Sequence, residues 1–135
     1  MELMFAPLKR YFDFQGRSRR SEYWLFYLLT TLVTVGLYLP LMALGMDSET
    51  GEPNAMVGLL GLLLGLVWLG FFIPSLAVTV RRLHDTNRSG WWVLISFLPL
   101  AGALVLFIFM LLNGTVGANR FGSDPKGENS AEVFG

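Results

Sequence analysis

The sequence predicts an all-α, polytopic membrane protein with three transmembrane helices, and three observations carry that expectation. Hydrophobic residues make up 53% of the 135 residues and charged residues only 15%, too apolar a balance for an ordinary soluble domain. The uncharged residues gather into three long runs, Tyr23 to Met46, Ala55 to Val80 and Trp91 to Leu112. Lysine and arginine fall between the runs, and unevenly. The chain therefore reads as one membrane domain over residues 1–135, with spans at about 23–46, 55–80 and 91–112 and a tail at 113–135.

Ahead of the first run, Met4, Phe5, Leu8, Tyr11 and Phe12 recur at helical spacing against Lys9, Arg10 and Asp13. That pattern fits a short helix in the membrane interface or, equally, a frayed apolar terminus. Basic residues before an apolar run also begin secretory signals. Here the run of 24 uncharged residues is too long for one and no small-x-small cleavage site closes it, so a retained span is expected. Ser18 is suited to cap the helix that follows.

At about 1.5 Å rise per residue, a hydrocarbon core of about 30 Å needs roughly 20 residues, and all three runs exceed that. The first segment carries Lys9, Arg10, Arg17, Arg19 and Arg20, and the second loop Arg81, Arg82 and Arg88. The first loop has Asp47, Glu49 and Glu52 and no base. Positive charge is retained in the cytoplasm, which puts the N-terminus and second loop inside and the first loop outside. Three crossings then place the tail outside. A competing reading turns the third run back as a hairpin at Pro99-Leu100-Ala101-Gly102, which requires its tip to be packed or wetted. Residues 113–135, rich in Gly, Asn, Ser and Asp, read as loop and tail.

Cysteine is absent, which excludes disulfides and thiolate chemistry. His84 is the only histidine, and one histidine beside one aspartate is a poor metal site. No Gly-x-Ser-x-Gly turn is present. No enzymatic role, cofactor, metal or nucleic-acid partner is expected. Tyr23, Tyr27 and Tyr38 are the only ionisable residues inside the spans, which argues against a transporter working as a monomer.

The remaining chemistry gathers where the runs end. If the second helix outlasts the lipid, Arg81, His84, Asp85 and Arg88 share one face and Asp85 can bridge two arginines. Glu22 lies at the boundary, where a lone carboxylate is costly, at the depth of Arg81 and Arg82; an interhelical pair, a pair with Arg19, or simple hydration all answer that cost. The candidate anion- or lipid-binding residues are Arg17, Arg20, Arg81, Arg82 and Arg88, organised by Glu22, His84 and Asp85. The alternative is a helix end anchored by arginines and aromatics. Gly61 and Gly65, with Gly58 a turn earlier, offer a close-approach face, more commonly used for packing within a fold than for a homo-oligomer. Pro40, Pro74 and Pro99 give each run one proline, a potential kink.

Several of these stretches resemble a known family. Gly16-Arg17-x-x-Arg20-x-Glu22-Tyr23-Trp24, Arg81-Arg82-Leu83-His84-Asp85 with Arg88-Ser89-Gly90-Trp91-Trp92, Pro99 with Gly102, and Gly117-Ala118-Asn119-Arg120-Phe121-Gly122-Ser123-Asp124-Pro125 look like domain-of-unknown-function family 805 (DUF 805). The resemblance covers nearly the whole chain and implies a multi-pass protein of the bacterial inner membrane. It implies no reaction. The expected role is a non-enzymatic interaction or scaffold protein that engages membrane lipid, in particular anionic head groups, or a partner protein; the alternative is a component of an oligomeric transporter or channel.

Overall fold

The computed structural model describes residues 2–125; Met1 and the end of the expected tail, including Lys126, lie outside them. Helices α1 (Glu2–Lys9), α2 (Arg20–Leu44) and α3 (Ala55–Asp85) are followed by a 3-10 helix (Gly90–Phe97) and by α4 (Ala101–Leu111). The described residues contain no strand, only two isolated bridges.

Helices α2 and α3 are the two elements long and apolar enough to cross a membrane. They are antiparallel, joined by a polar loop that is held from both sides. Asp47 Oδ1 accepts from the backbone amides of Glu49 and Thr50 at 3.0 and 2.9 Å. Asn54 caps α3 by accepting from the Met56 amide at 2.9 Å while its Nδ2 donates to the Leu44 carbonyl at 2.8 Å. One orphaned backbone group at each of the two helix ends is thereby satisfied.

The third apolar run is not a single continuous helix. Leu100 takes a left-handed backbone (φ 61°) after Pro99, and the chain reverses between the 3-10 helix and α4. Trp92 near the start of the run meets Phe109 near its end, ring centroids 5.6 Å apart and edge to face. Gly102 makes the reversal possible: a Cβ there would lie 1.7 Å from the Ile95 carbonyl oxygen. Eight residues at about 2.0 Å and eleven at about 1.5 Å give two arms of roughly 16 Å, half the span of a hydrocarbon core. The expected third span is corrected to a hairpin. Its apolar patterning is the same for one long helix as for two short ones; the difference lies in the Pro99-Leu100 turn and the space at Gly102. The tail after α4 consequently returns to the end of the bundle where the run began, not to the opposite one.

Helix α1 and the segment after it pack along α2 and α3, with Pro7 enclosed. Tyr11 Oη donates to the Gly70 carbonyl at 2.6 Å. Pro74 lacks the amide that would ordinarily bond that carbonyl, four residues earlier, so a side chain from another segment satisfies the group that the proline orphans.

Burial is inverted relative to a soluble domain. Among the largest enclosed side chains are Arg81 and Arg82, both 0% exposed. Along the helices, Leu62, Leu66 and Leu69 are open, Leu69 at 72%. Gly58, Gly61 and Gly65 have nothing within 4 Å of an added Cβ, so this glycine face is not used for packing within the chain.

Candidate functional site

The charged end of the bundle is where four segments converge: residues 10–22, the last turn of α3, the end of α4, and residues 112–124. Over residues 10–22, 81–88 and 112–124 the chain carries eight arginines and four carboxylates. The opposite loop carries three carboxylates and no base between residues 47 and 52.

Asp85 sits at the centre of this end. One carboxylate oxygen pairs with Arg17 at 2.8 Å and the other with Arg82. Arg17 also donates to the carbonyls of Gly117, at 2.6 Å, and Thr115. Arg82 also donates to the Leu112 carbonyl, so it ties α3 to the end of α4; its Nε is without a partner among the described residues. The Thr115 amide donates to the Asp85 carbonyl at 2.7 Å. Gly114 is required here, since a Cβ would lie 2.0 Å from Asp85 Oδ2. One carboxylate thus links α3, the pre-α2 segment and the tail.

Arg81 forms a second centre. It pairs with Glu22 at 3.2 Å across the α2–α3 interface, donates through Nε to Ser18 Oγ at 2.9 Å, and donates through Nη1 to the carbonyls of Asp13 and Arg10. Ser18 is therefore not the cap of α2. Arg19 holds that position and makes no side-chain cap bond, since a guanidinium has no acceptor to offer a helix amide; the Ser18 hydroxyl instead accepts from Arg81. At the edge of this centre Arg10 and Asp13 pair at 2.7 Å, and the Arg10 hydrogen bond holds the Asp13 carboxyl below its ordinary range.

The four residues expected on one helical face do not form one cluster. Helix α3 ends at Asp85, and Asn87 turns the chain with φ 60°. Arg88 is carried away from Asp85 and lies 4.2 Å over the Phe109 ring. His84 faces another way: its Nδ1 is 2.8 Å from the Gly16 carbonyl, and its ring stacks on Phe121 at 4.1 Å and 4°. Asp85 does bridge two arginines, but they are Arg82 and Arg17, from separate segments. Arg20 is exposed and donates to the Leu111 carbonyl at 3.0 Å.

Of the candidate anion-binding arginines, Arg17, Arg81 and Arg82 are enclosed and engaged by the chain's own acceptors. Arg20 and Arg88 keep accessible surface. The tail supplies contacts that charge patterning did not reveal. Asn119 Nδ2 donates to the His84 carbonyl at 2.9 Å, and Arg120 donates to the Asn87 carbonyl at 3.3 Å while lying 4.6 Å from the Phe121 ring. The signal available for these residues was the tail motif within the family resemblance. Among the described residues no group of three or more His, Cys, Asp or Glu is placed to hold a metal ion.

Two long apolar helices open to their surroundings, with an enclosed arginine-carboxylate centre at one end, define a helical membrane protein. The chain belongs to the family described as Protein of unknown function (DUF805), whose pattern matches residues 11–123. It is 41% identical to inner membrane protein YhaI of Escherichia coli (strain K12) over 126 residues, 93% of this chain and 97% of the relative. It is 42% identical to inner membrane protein YhaH of the same strain over 126 residues, 93% and 98% of the two chains. The uncharacterized protein YiiR, also of that strain, is 28% identical over 139 residues, covering 84% of this chain and 86% of the relative. No solved structure matches.

Proposed function

We propose that this is a non-enzymatic interaction protein of the bacterial inner membrane, with its charged end in the cytoplasm, that engages anionic lipid head groups through the rim of that end. The observation that carries the reading is the division of labour among the arginines. Arg17, Arg81 and Arg82 are paired inside the protein with two carboxylates, Asp85 and Glu22, and hold four segments together; Arg20 and Arg88 lie outside that core with accessible surface. Near-surface basic residues each contribute on the order of 1 kcal/mol of attraction to anionic lipid, and the basic excess supports a cytoplasmic placement of this end. The test is lipid analysis of protein purified in mild detergent. Replacing Arg20 and Arg88 together by Gln should lower the ratio of anionic to zwitterionic co-purifying lipid by several-fold; an unchanged ratio overturns the reading.

A second reading, a component of an oligomeric transporter, has its own support. Tyr23, Tyr27, Thr30, Thr31, Thr34 and Ser75, together with the apolar Val67, Trp68, Phe71 and Phe72, line a cavity of about 430 Å³ between α2 and α3, and the Gly58, Gly61 and Gly65 face is free for another helix. Cysteines introduced at Gly61 should cross-link two copies in native membranes on this reading, and only monomer should appear if it fails.

A further inference from the structure

The geometry points to a second, built lipid site: a groove beneath the hairpin that takes one acyl chain of an anionic phospholipid with a hydroxyl-bearing head group, the head lying against His84 and Arg120. The inference rests on the lipid-engaging reading above and deepens it, using residues that reading does not.

The groove has a volume of about 760 Å³ and is walled by Phe14, Phe72, Leu76, Val80, Leu94 and Phe97, with His84 among its polar lining. That volume is within the roughly 300–1,000 Å³ of small-molecule sites. From Phe72 to His84 it follows twelve residues of α3, or about 18 Å at 1.5 Å per residue. One leaflet of a 30 Å hydrocarbon core is about 15 Å deep. The trough is therefore long enough for a chain that enters at the polar boundary and ends near the middle of the bilayer. Its walls are largely apolar, with His84, Ser89 and Ser96 as the polar side chains of the lining.

His84 gives the polar end its chemistry. The Gly16 carbonyl 2.8 Å from Nδ1 only accepts, so Nδ1 carries the proton and Nε2 of the neutral ring presents a lone pair. Nε2 faces Gly90, where an added Cβ would lie 3.5 Å from it, and Gly90 itself lines the groove. A head-group hydroxyl can donate to that nitrogen. Beside it, Phe121 stacks on the His84 ring and carries the Arg120 guanidinium 4.6 Å from its own ring. Arg120 does not line the groove itself and is linked to His84 through the Phe121 ring, but it is exposed and its hydrogen bond is to a backbone carbonyl, Asn87, so its guanidinium remains open to a phosphate. Basic excess at this end of the bundle reinforces the choice of an anionic lipid.

The test uses the full chain, delipidated in detergent, with phosphatidylglycerol or phosphatidylcholine of identical acyl chains added back and the retained lipid counted by native mass spectrometry. One phosphatidylglycerol per chain should be retained at least tenfold more readily than phosphatidylcholine. Leu94→Trp, which fills the trough, should abolish that adduct. Arg120→Gln, which leaves the trough open, should remove the tenfold preference. Because a bulky variant can fail to fold, Leu94→Trp is read only alongside a parent-like melting curve, and Arg120→Gln provides the independent arm. Equal retention of the two lipids by the parent, or parent-like retention by a folded Leu94→Trp protein, overturns the proposal, as does a dimer with no lipid bound. Arg20 and Arg88 are untouched here. If their replacement leaves the co-purifying lipid unchanged while Leu94→Trp loses its adduct, the rim reading fails and the groove stands; the reverse pattern rejects the groove alone.

Discussion

The two ends of this molecule solve opposite problems. Along most of α2 and α3 the side chains are apolar and open, and their burial is left to the surrounding lipid, so removing one leucine there costs the fold little. At the charged end, guanidiniums and carboxylates are enclosed by protein, and each depends on particular partners. Taking charges out of water is expensive, and the cost is recovered only while every partner is present. The lesson is that a small membrane protein concentrates its structural specificity in its polar end, where contacts are directional, rather than in its apolar length, where they are interchangeable.

The all-or-none test of this arrangement is topological. The chain has no cysteine, so single cysteines at Gln15, Ser48 and Ser123, all exposed, report without background. A membrane-impermeant maleimide should label Gln15→Cys and Ser123→Cys from one side and Ser48→Cys from the other. Labelling of Ser123→Cys on the side of Ser48→Cys would mean the third run crosses after all.

Among stability effects the largest is expected at Asp85. Asp85→Ala leaves Arg17 and Arg82 enclosed without their shared counter-charge, a loss of about 3–5 kcal/mol. Leu66→Ala, on the lipid-facing stretch, should fall within about 0.5 kcal/mol of the parent. Thermal unfolding of both variants in one detergent compares the two regions directly, and equal losses would erase the distinction.

Glycines sharpen it further. Gly114→Ala forces a methyl against the Asp85 carboxylate, an overpacking cost of about 1–3 kcal/mol, and should speed proteolysis of residues 115–124 in inside-out vesicles. Gly61→Ala meets nothing within 4 Å and should leave stability unchanged or raise it by up to about 1 kcal/mol through helix propensity. A parent-like tail in Gly114→Ala would show that the strap does not lie on Asp85.

The smallest expected effect joins the two regions. Tyr11→Phe removes the donor to the Gly70 carbonyl, worth about 1 kcal/mol. In a Pro74→Ala background the restored amide serves that carbonyl, so the same substitution should cost much less. A double-mutant cycle by thermal unfolding measures the difference; identical costs in both backgrounds would detach Tyr11 from the proline.

Much of this arrangement was legible in the residues. The first two apolar runs mark α2 and α3 to within about five positions, and the length of the second left open whether its helix tilts or projects past the lipid. The cost of a boundary carboxylate made Glu22 a candidate for Arg81. Other pairings were not legible. Arg17 and Asp85 are 68 positions apart in sequence, and helical periodicity speaks only to residues three or four apart. It could not indicate that Arg88 leaves the face at Asn87 or that Ser18 serves Arg81 instead of α2. The hairpin was one of two readings of Pro99 to Gly102, and hydropathy does not distinguish them.

Composition and periodicity, which depend on the chain alone, establish a helical membrane protein, its two long helices and the end at which positive charge collects. Transfer of apolar residues out of water is additive along a sequence, so patterning is enough to read it. The convergence of Arg17, Asp85, Arg82 and the tail, the direction of the hairpin, and the groove at His84 exist only in the folded molecule. They depend on which distant segments meet and on whether a glycine leaves room for a carbonyl or a carboxylate, and neither distance nor free space is written in the order of the residues.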